Sequence, residues 1–240
     1  MQQLGRVVLL VLLALEASPA VAAVPTFTDP LTLTNPYQPF QPGAVKVFDG
    51  RKDGKPSVLV DLYLTTTRTF RVGAADVAAH ILQETEFSNG AVVEISQNFL
   101  AQADDGTVFY FGELVDEYEN GAVTSHEGSW LVGGPTMPGD PTDTGNAAMP
   151  AVFMPASPQV GSTFKPEDLF PIVDETDEVK AIGLTVGTPA GRFGRAIRVV
   201  ETTQLGDKPE TKWYGAGVGV LKGKTKGETF ALVASTLRAQ

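Results

Sequence analysis

Asn-Gly or Asp-Gly pairs recur at Asn89-Gly90, Asp105-Gly106 and Asn120-Gly121, each closing a run of about ten residues with strand composition. Such dipeptides accept the positive φ angles of two-residue hairpin turns, whose twist matches the strands they join. Three in succession fold the chain back on itself three times. The runs Ala78–Phe87, Ala91–Ala101, Thr107–Tyr118 and Ala122–Trp130, the last stopped by Gly133-Gly134, therefore read as an antiparallel meander. Ser57–Thr66 and Thr69–Val72 precede it, and Glu178–Val186, Arg195–Gln204, Thr211–Ala216, Val218–Lys222 and Glu228–Ala234 follow as further strands.

The expected fold is all-β: a curved antiparallel sheet or incomplete β-barrel built from two loosely similar β units, with few or short helices. The first unit is 44–132 and the second, in the same domain, 178–240; a Gly/Pro-rich connection, 133–177, joins them. A loose internal echo between residues 70–85 and 184–203 supports the pairing of units. One strand lacks clean alternation. In VFYFGELV, strict period two sends Val108, Tyr110 and Leu114 one way and Phe109, Phe111 and Val115 the other. A strand apolar on both faces is covered on both: by core on one, and on the other by a helix, a loop or a bound apolar ligand.

Residues 1–23 carry an address rather than a structural element. Arg6 precedes the apolar run Val7–Leu15, and Ala20-Val21-Ala22 offers the small-x-small pattern of signal cleavage. That run is about half of the roughly 20 residues a membrane-spanning helix needs. No later segment is long and apolar enough, so the expected location is secreted or periplasmic. Residues 24–43 form a proline-rich extended lead-in, with Pro36, Pro39 and Pro42 at every third position and Tyr37 and Phe40 between them to pack on the domain edge.

Composition removes several function classes. There is no cysteine, hence no disulfide, thiolate zinc site or Cys nucleophile. The formal net charge of −10 argues against nucleic acid as a partner, because phosphate binding needs a basic face. It argues equally against charge-driven docking on anionic lipid.

The motifs NPYQPFQPG, DDGTVFYFGE and EGSW in the first half, with TVGTPAGRFGRAIRVVE and KWYGAGVGVLK in the second, resemble a signature of uncharacterised secreted bacterial proteins. Those proteins look like relatives of the half-open β-barrels of lipoprotein-carrier type, the LolA-like fold. The resemblance covers most of residues 35–225. It implies an antiparallel sheet wrapped around an apolar concavity, and no activity, since one fold hosts many functions.

The chemistry-bearing residues are sparse. Glu94, Glu113 and Glu127 fall on three successive expected strands, and two of them facing each other would support acid–base work or hold a metal by oxygen ligands. Ser125-His126-Glu127 is a triad in spelling alone, because neighbours on a strand point to opposite faces. His80 reads as a packed strand residue. Asp140, Asp143 and Asn146, or Asp174, Glu175, Asp177 and Glu178, offer oxygen to Ca²⁺, but neither run has the twelve-residue loop spacing, so solvated acidic loops and no cofactor are expected. Lys224-Thr225 after Gly223 lacks the upstream glycine of a phosphate loop, and Gly215, Gly217 and Gly219 precede a strand, not a helix.

Three functional readings follow. The first is a non-enzymatic binding or carrier module for an apolar, lipid-like small molecule, lined by Phe109, Tyr110, Phe111, Trp130, Trp213 and Tyr214. The second is a carboxylate- or calcium-assisted hydrolase built on Glu94, Glu113 and Glu127. The third is an envelope structural or interaction protein with a filled interior.

Overall fold

The structure, a computed structural model, describes residues 24–206 and 208–237. The signal segment expected at 1–23 lies outside them. Alternating apolar and polar residues give strands almost throughout, and no helix occurs among the described residues. In chain order the strands are β1 (Val45–Lys52), β2 (Lys55–Val72), β3 (Ala75–Ser88), β4 (Ala91–Gln102), β5 (Val108–Glu119), β6 (Ala122–Ser125), β7 (Trp130–Val132), β8 (Gly145–Ala147), β9 (Ala151–Met154), β10 (Thr163–Leu169), β11 (Val173–Thr188), β12 (Gly191–Thr202), β13 (Glu210–Gly215), β14 (Gly219–Thr225) and β15 (Glu228–Ser235).

They form one sheet. Its order runs β10 to β15, then β1 to β5, β7 and β8, with β6 and β9 also on β5. Two antiparallel meanders are thus joined where β15 pairs with β1. Twist curls the sheet until its ends approach. β9 pairs with β5 near Val108–Tyr110, and β10 packs beside β9, so the barrel is nearly closed along the side of β5 and β10.

The turn residues do what their chemistry requires. Asn89-Gly90 has φ of 50° and 84°, and Asn120-Gly121 has 52° and 80°, both residues positive as a type I′ turn demands. Asp53-Gly54, with φ of 50° and 77°, makes the same turn between β1 and β2. The Asp105-Gly106 connection differs from expectation. Only its glycine is left-handed, and the loop closes through Ala103 N to Thr107 O and Gly106 N to Ala103 O, both 2.9 Å.

Three further boundaries differ. Ser57–Thr66 and Thr69–Val72 are one strand, β2, with a register shift between Tyr63 and Thr67. The run Ala122–Trp130 splits into β6 and β7, because a turn through Glu127-Gly128 interrupts it and Gly128 is left-handed. The connection 133–177 contains β8, β9, β10 and the start of β11. These strands are short or at the sheet's end, and Pro166 sits at a register shift of β10, where its missing N–H costs no ladder bond.

The main core lies where β2–β5 curl under the lead-in and the 133–150 loop. Phe70 packs on Phe99 and Phe111, each pair at 5.3 Å between centroids, and Phe27 of the lead-in meets Phe109 and Phe111 at 5.6 Å. Burial of each such ring contributes about 2–3 kcal/mol. The lead-in does more than line an edge. Phe40 stacks on His80 at 4.0 Å, Gln102 accepts from Thr34 N and Asn35 N, and Gln38 reaches the barrel interior. The 133–150 loop is held by a buried bidentate pair, Arg68 with Asp140, at 2.9 and 2.7 Å.

Candidate functional site

Strand alternation places every second residue inside. Lys46 and Phe48 of β1, Leu59, Asp61 and Tyr63 of β2, Leu82, Glu84 and Glu86 of β3, and Glu210, Lys212 and Tyr214 of β13 all face one cavity of about 290 Å³. Nine carboxylates line it: Asp61, Glu84, Glu86, Glu94, Glu113, Glu167, Glu175, Asp177 and Glu210, against two lysines, Lys46 and Lys212. The walls are chemically divided. Phe48, Leu59, Val220 and Phe230 form an apolar wall on the adjoining strands β14, β15, β1 and β2, while most acids come from β3–β5, β10 and β11.

The register sets the charges side by side. Lys46 lies opposite Asp61, and Asp61 opposite Glu84. Lys46 Nζ is 3.5 Å from Asp61 Oδ2, with both side chains almost wholly buried. Burial pushes Glu84 up to about 8, the Asp61 charge adding to it while Lys212 and Lys46 pull the other way. Asp61 is raised by burial despite Lys46, and burial lowers the Lys46 ammonium despite Asp61 and Glu84. A carboxyl group in low dielectric keeps its proton unless a cation compensates.

A second cluster surrounds Lys212. Asp177 lies opposite Glu201, and Glu201 opposite Glu210. Lys212 Nζ is 2.6 Å from Glu201 Oε2 and 3.7 Å from Glu210 Oε2. Burial alone would lower Lys212, but Glu201, Glu175 and Glu210 hold it well above the usual lysine range. Burial raises Glu175 well above the carboxylate range, and Asp177 to about 7, against the pull of Lys212. Where β5 approaches β10, Glu113 and Glu167 line the same cavities, and burial raises both carboxyls above the usual range. Several acid oxygens remain unpaired: Asp61 Oδ1, Glu86 Oε1 and Asp177 Oδ1 are buried without a hydrogen bond.

A second cavity of about 300 Å³ adjoins the first, and Glu94, Glu113, Glu167 and Glu175 line both. The three glutamates singled out from the sequence all line this second cavity, Glu127 included. Glu127 does so from a turn, not from a strand.

The aromatic residues separate. Tyr110 and Tyr214 face the first cavity. Phe109 and Phe111 pack with Phe27, and Trp130 is fully buried, edge-on to Tyr110 at 5.2 Å. Trp213 lies beneath Lys222 Nζ at 4.8 Å. His80 contacts Leu31 O through Nε2 at 2.8 Å, and His126 Nδ1 lies 2.9 Å from Asp116 Oδ1. No Ser-His-Glu relay forms among residues 125–127.

Strict alternation misplaces part of β5. Gly112 interrupts the ladder with φ of 115°, and the pairing jumps from Asn98 with Glu113 to Leu100 with Tyr110. Glu113 thereby joins Tyr110 on the cavity side, although the two are three residues apart. Sequence reasoning passed over Lys46, Asp61, Glu84, Glu86, Glu167, Glu201, Glu210 and Lys212. Part of their signal was present: Glu84 with Glu86 and Glu210 with Lys212 are charges two residues apart on one strand face, and Asp61 interrupts the apolar run SVLVDLYL. Glu175 and Asp177, expected in an acidic loop, lie on β11.

No family model matches the chain, and no curated protein does. Among solved structures, a Bacteroides fragilis protein with a YmcC-like fold, described as exported, aligns with a TM-score of 0.36 at 11% identity, over 83% of this chain and 98% of that one. Likeness at that level carries no argument about activity or ligand.

Proposed function

We propose that this chain is an extracytoplasmic, non-catalytic binding module whose barrel takes a small amphiphilic cation: an apolar body bearing positive charge. The division of the cavity wall carries the reading, with nine carboxylates and two lysines set against Phe48, Leu59, Val220 and Phe230. A wholly apolar ligand would leave Asp61 Oδ1 and Glu86 Oε1 buried and unpaired, at about 1–3 kcal/mol each. An ammonium group supplies the donors those oxygens lack. The expected lipid-like ligand is thus narrowed by charge, and the open interior favours a binding role over a filled envelope protein. Export rests on the pattern of residues 1–23, and kinship with the LolA-like carriers belongs to this proposal through the motifs quoted above.

The test is isothermal titration of the purified exported chain with dodecylammonium, dodecanoate and dodecanol at equal concentrations. Saturable binding of the amine, with the acid at least ten-fold weaker, is expected. Equal binding of dodecanoate or dodecanol, or no binding of the amine, overturns the reading.

One observation favours hydrolysis as a second reading. Glu113 and Glu167 both line the two cavities and both are raised by burial, and two such carboxyls in one site can serve as an acid and a base. Under that reading Glu113→Gln abolishes turnover of any cleaved substrate while amine binding persists.

A further inference from the structure

We propose that Glu175 and Asp177 of β11, with Glu201 of β12, form a site for one divalent cation, Ca²⁺ by donor chemistry, in the wall between the two cavities. One carboxylate oxygen from each of the three lies within 4.8 Å of the others, the spacing at which a single ion can bridge them. The backbone fixes that arrangement. Asp177 and Glu201 are direct cross-strand partners, and Glu175 is two residues from Asp177 on the same face. Like charges placed opposite each other destabilise a ladder unless something positive lies between them.

The second observation is Asp177 itself. It is 2% exposed, lines the first cavity, and its Oδ1 has no hydrogen-bond partner. A buried carboxylate oxygen with nothing to accept from is a free ligand position. Lys212 does not fill it. Its ammonium is held by Glu201 and Glu210 at 2.6 and 3.7 Å, leaving Glu175, Asp177 and the neighbouring Glu167 to share the same single charge. The donor set is oxygen alone, which suits hard cations and disfavours zinc and copper. Glu175 faces both cavities, so water can reach an ion there and complete the six to eight ligands Ca²⁺ takes. The site does not depend on the barrel's taking an organic cation.

The experiment is titration of the purified exported chain, free of organic ligand, with Ca²⁺ by calorimetry and with Tb³⁺ by luminescence sensitised through aromatic residues. One saturable equivalent is expected, weakened ten-fold or more by Asp177→Asn and by Glu201→Gln, and unchanged by Asp143→Asn in the 133–150 loop. Lys212→Met removes the competing ammonium and should tighten Ca²⁺ at least three-fold. Thermal melts confirm that each variant is folded, and Glu201→Asp, which keeps the charge and shortens the reach, replaces any that is not. Absence of saturable binding up to millimolar Ca²⁺ overturns the site, as does binding that survives both carboxylate substitutions. Amine titration on the same samples is scored separately, so failure of either reading is distinguishable.

Discussion

If the barrel acids are kept for a ligand, each costs stability in the empty protein, and Glu84 is where that cost is best defined. Its carboxyl is raised from 4.5 to about 8, by burial first and by Asp61 second. The sign follows directly. Below pH 4.5 both folded and unfolded chains hold the proton, and there is no penalty. Between pH 4.5 and 8 the unfolded chain releases it and the folded chain does not, so stability falls as pH rises, by about 1.4 kcal/mol per pH unit. The ceiling is about 5 kcal/mol at pH 8. Glu84 lines the cavity and accepts from Asn98 Nδ2 at 3.0 Å, so screening reduces the recoverable part to about 2–3 kcal/mol. Glu84→Gln keeps the shape and cannot ionise. It should stabilise the chain by that amount at pH 8, or about 4–12 °C in Tm for a domain of this size, and by almost nothing at pH 4.5. Urea melts of both proteins at the two pH values measure it. A gain equal at both pH values, or a variant less stable at pH 8, would refute the claim that ionisation in the barrel is what costs.

Two other substitutions probe the frame around the site. Asp140 is held down to about 2, chiefly by hydrogen bonds from Arg68, with Met137 N and Thr136 N adding to it. Its contribution is therefore complete above about pH 4 and lost as pH falls toward 2. Asp140→Asn should cost about 3 kcal/mol at pH 7, because the buried Arg68 guanidinium loses its counter-charge, and the difference from wild type should shrink at pH 2 in parallel urea melts. Gly112→Ala should destabilise by more than about 4 kcal/mol: a Cβ there would lie 2.1 Å from Trp130 O, on a residue with φ of 115°. Loss of the near-ultraviolet circular dichroism of Trp130 reports it, and a native spectrum with an unchanged melt would contradict the close approach.

Much of the fold is local and was therefore legible. Asn89-Gly90 and Asn120-Gly121 can hardly do anything but turn a hairpin, and alternation between them writes strands. The antiparallel meander and the predominance of strand among the described residues follow from such signals repeated along the chain. The site was legible only in fragments. Glu94 and Glu113 were visible as carboxylates on neighbouring strands, but Gly112 decides which side Glu113 takes, and no turn dipeptide announces a bulge.

The larger limit is one of inside and outside. In SVLVDLYL the sequence determines that Leu59, Asp61 and Tyr63 share one face and Val58, Val60 and Leu62 the other. It does not determine which face the sheet will enclose. Polar residues ordinarily go to solvent, so the charged face reads as the exterior. Here twist and the pairing of β15 with β1 curl the sheet around its charged face, so that face lines the cavity. Whether acids on strands far apart in sequence, such as Asp177 and Glu210 with Glu84 and Glu113, meet across one enclosed space depends on register and closure summed over many strands. Only the tertiary structure decides that, because alternation is a property of one strand and a barrel interior is a property of all of them.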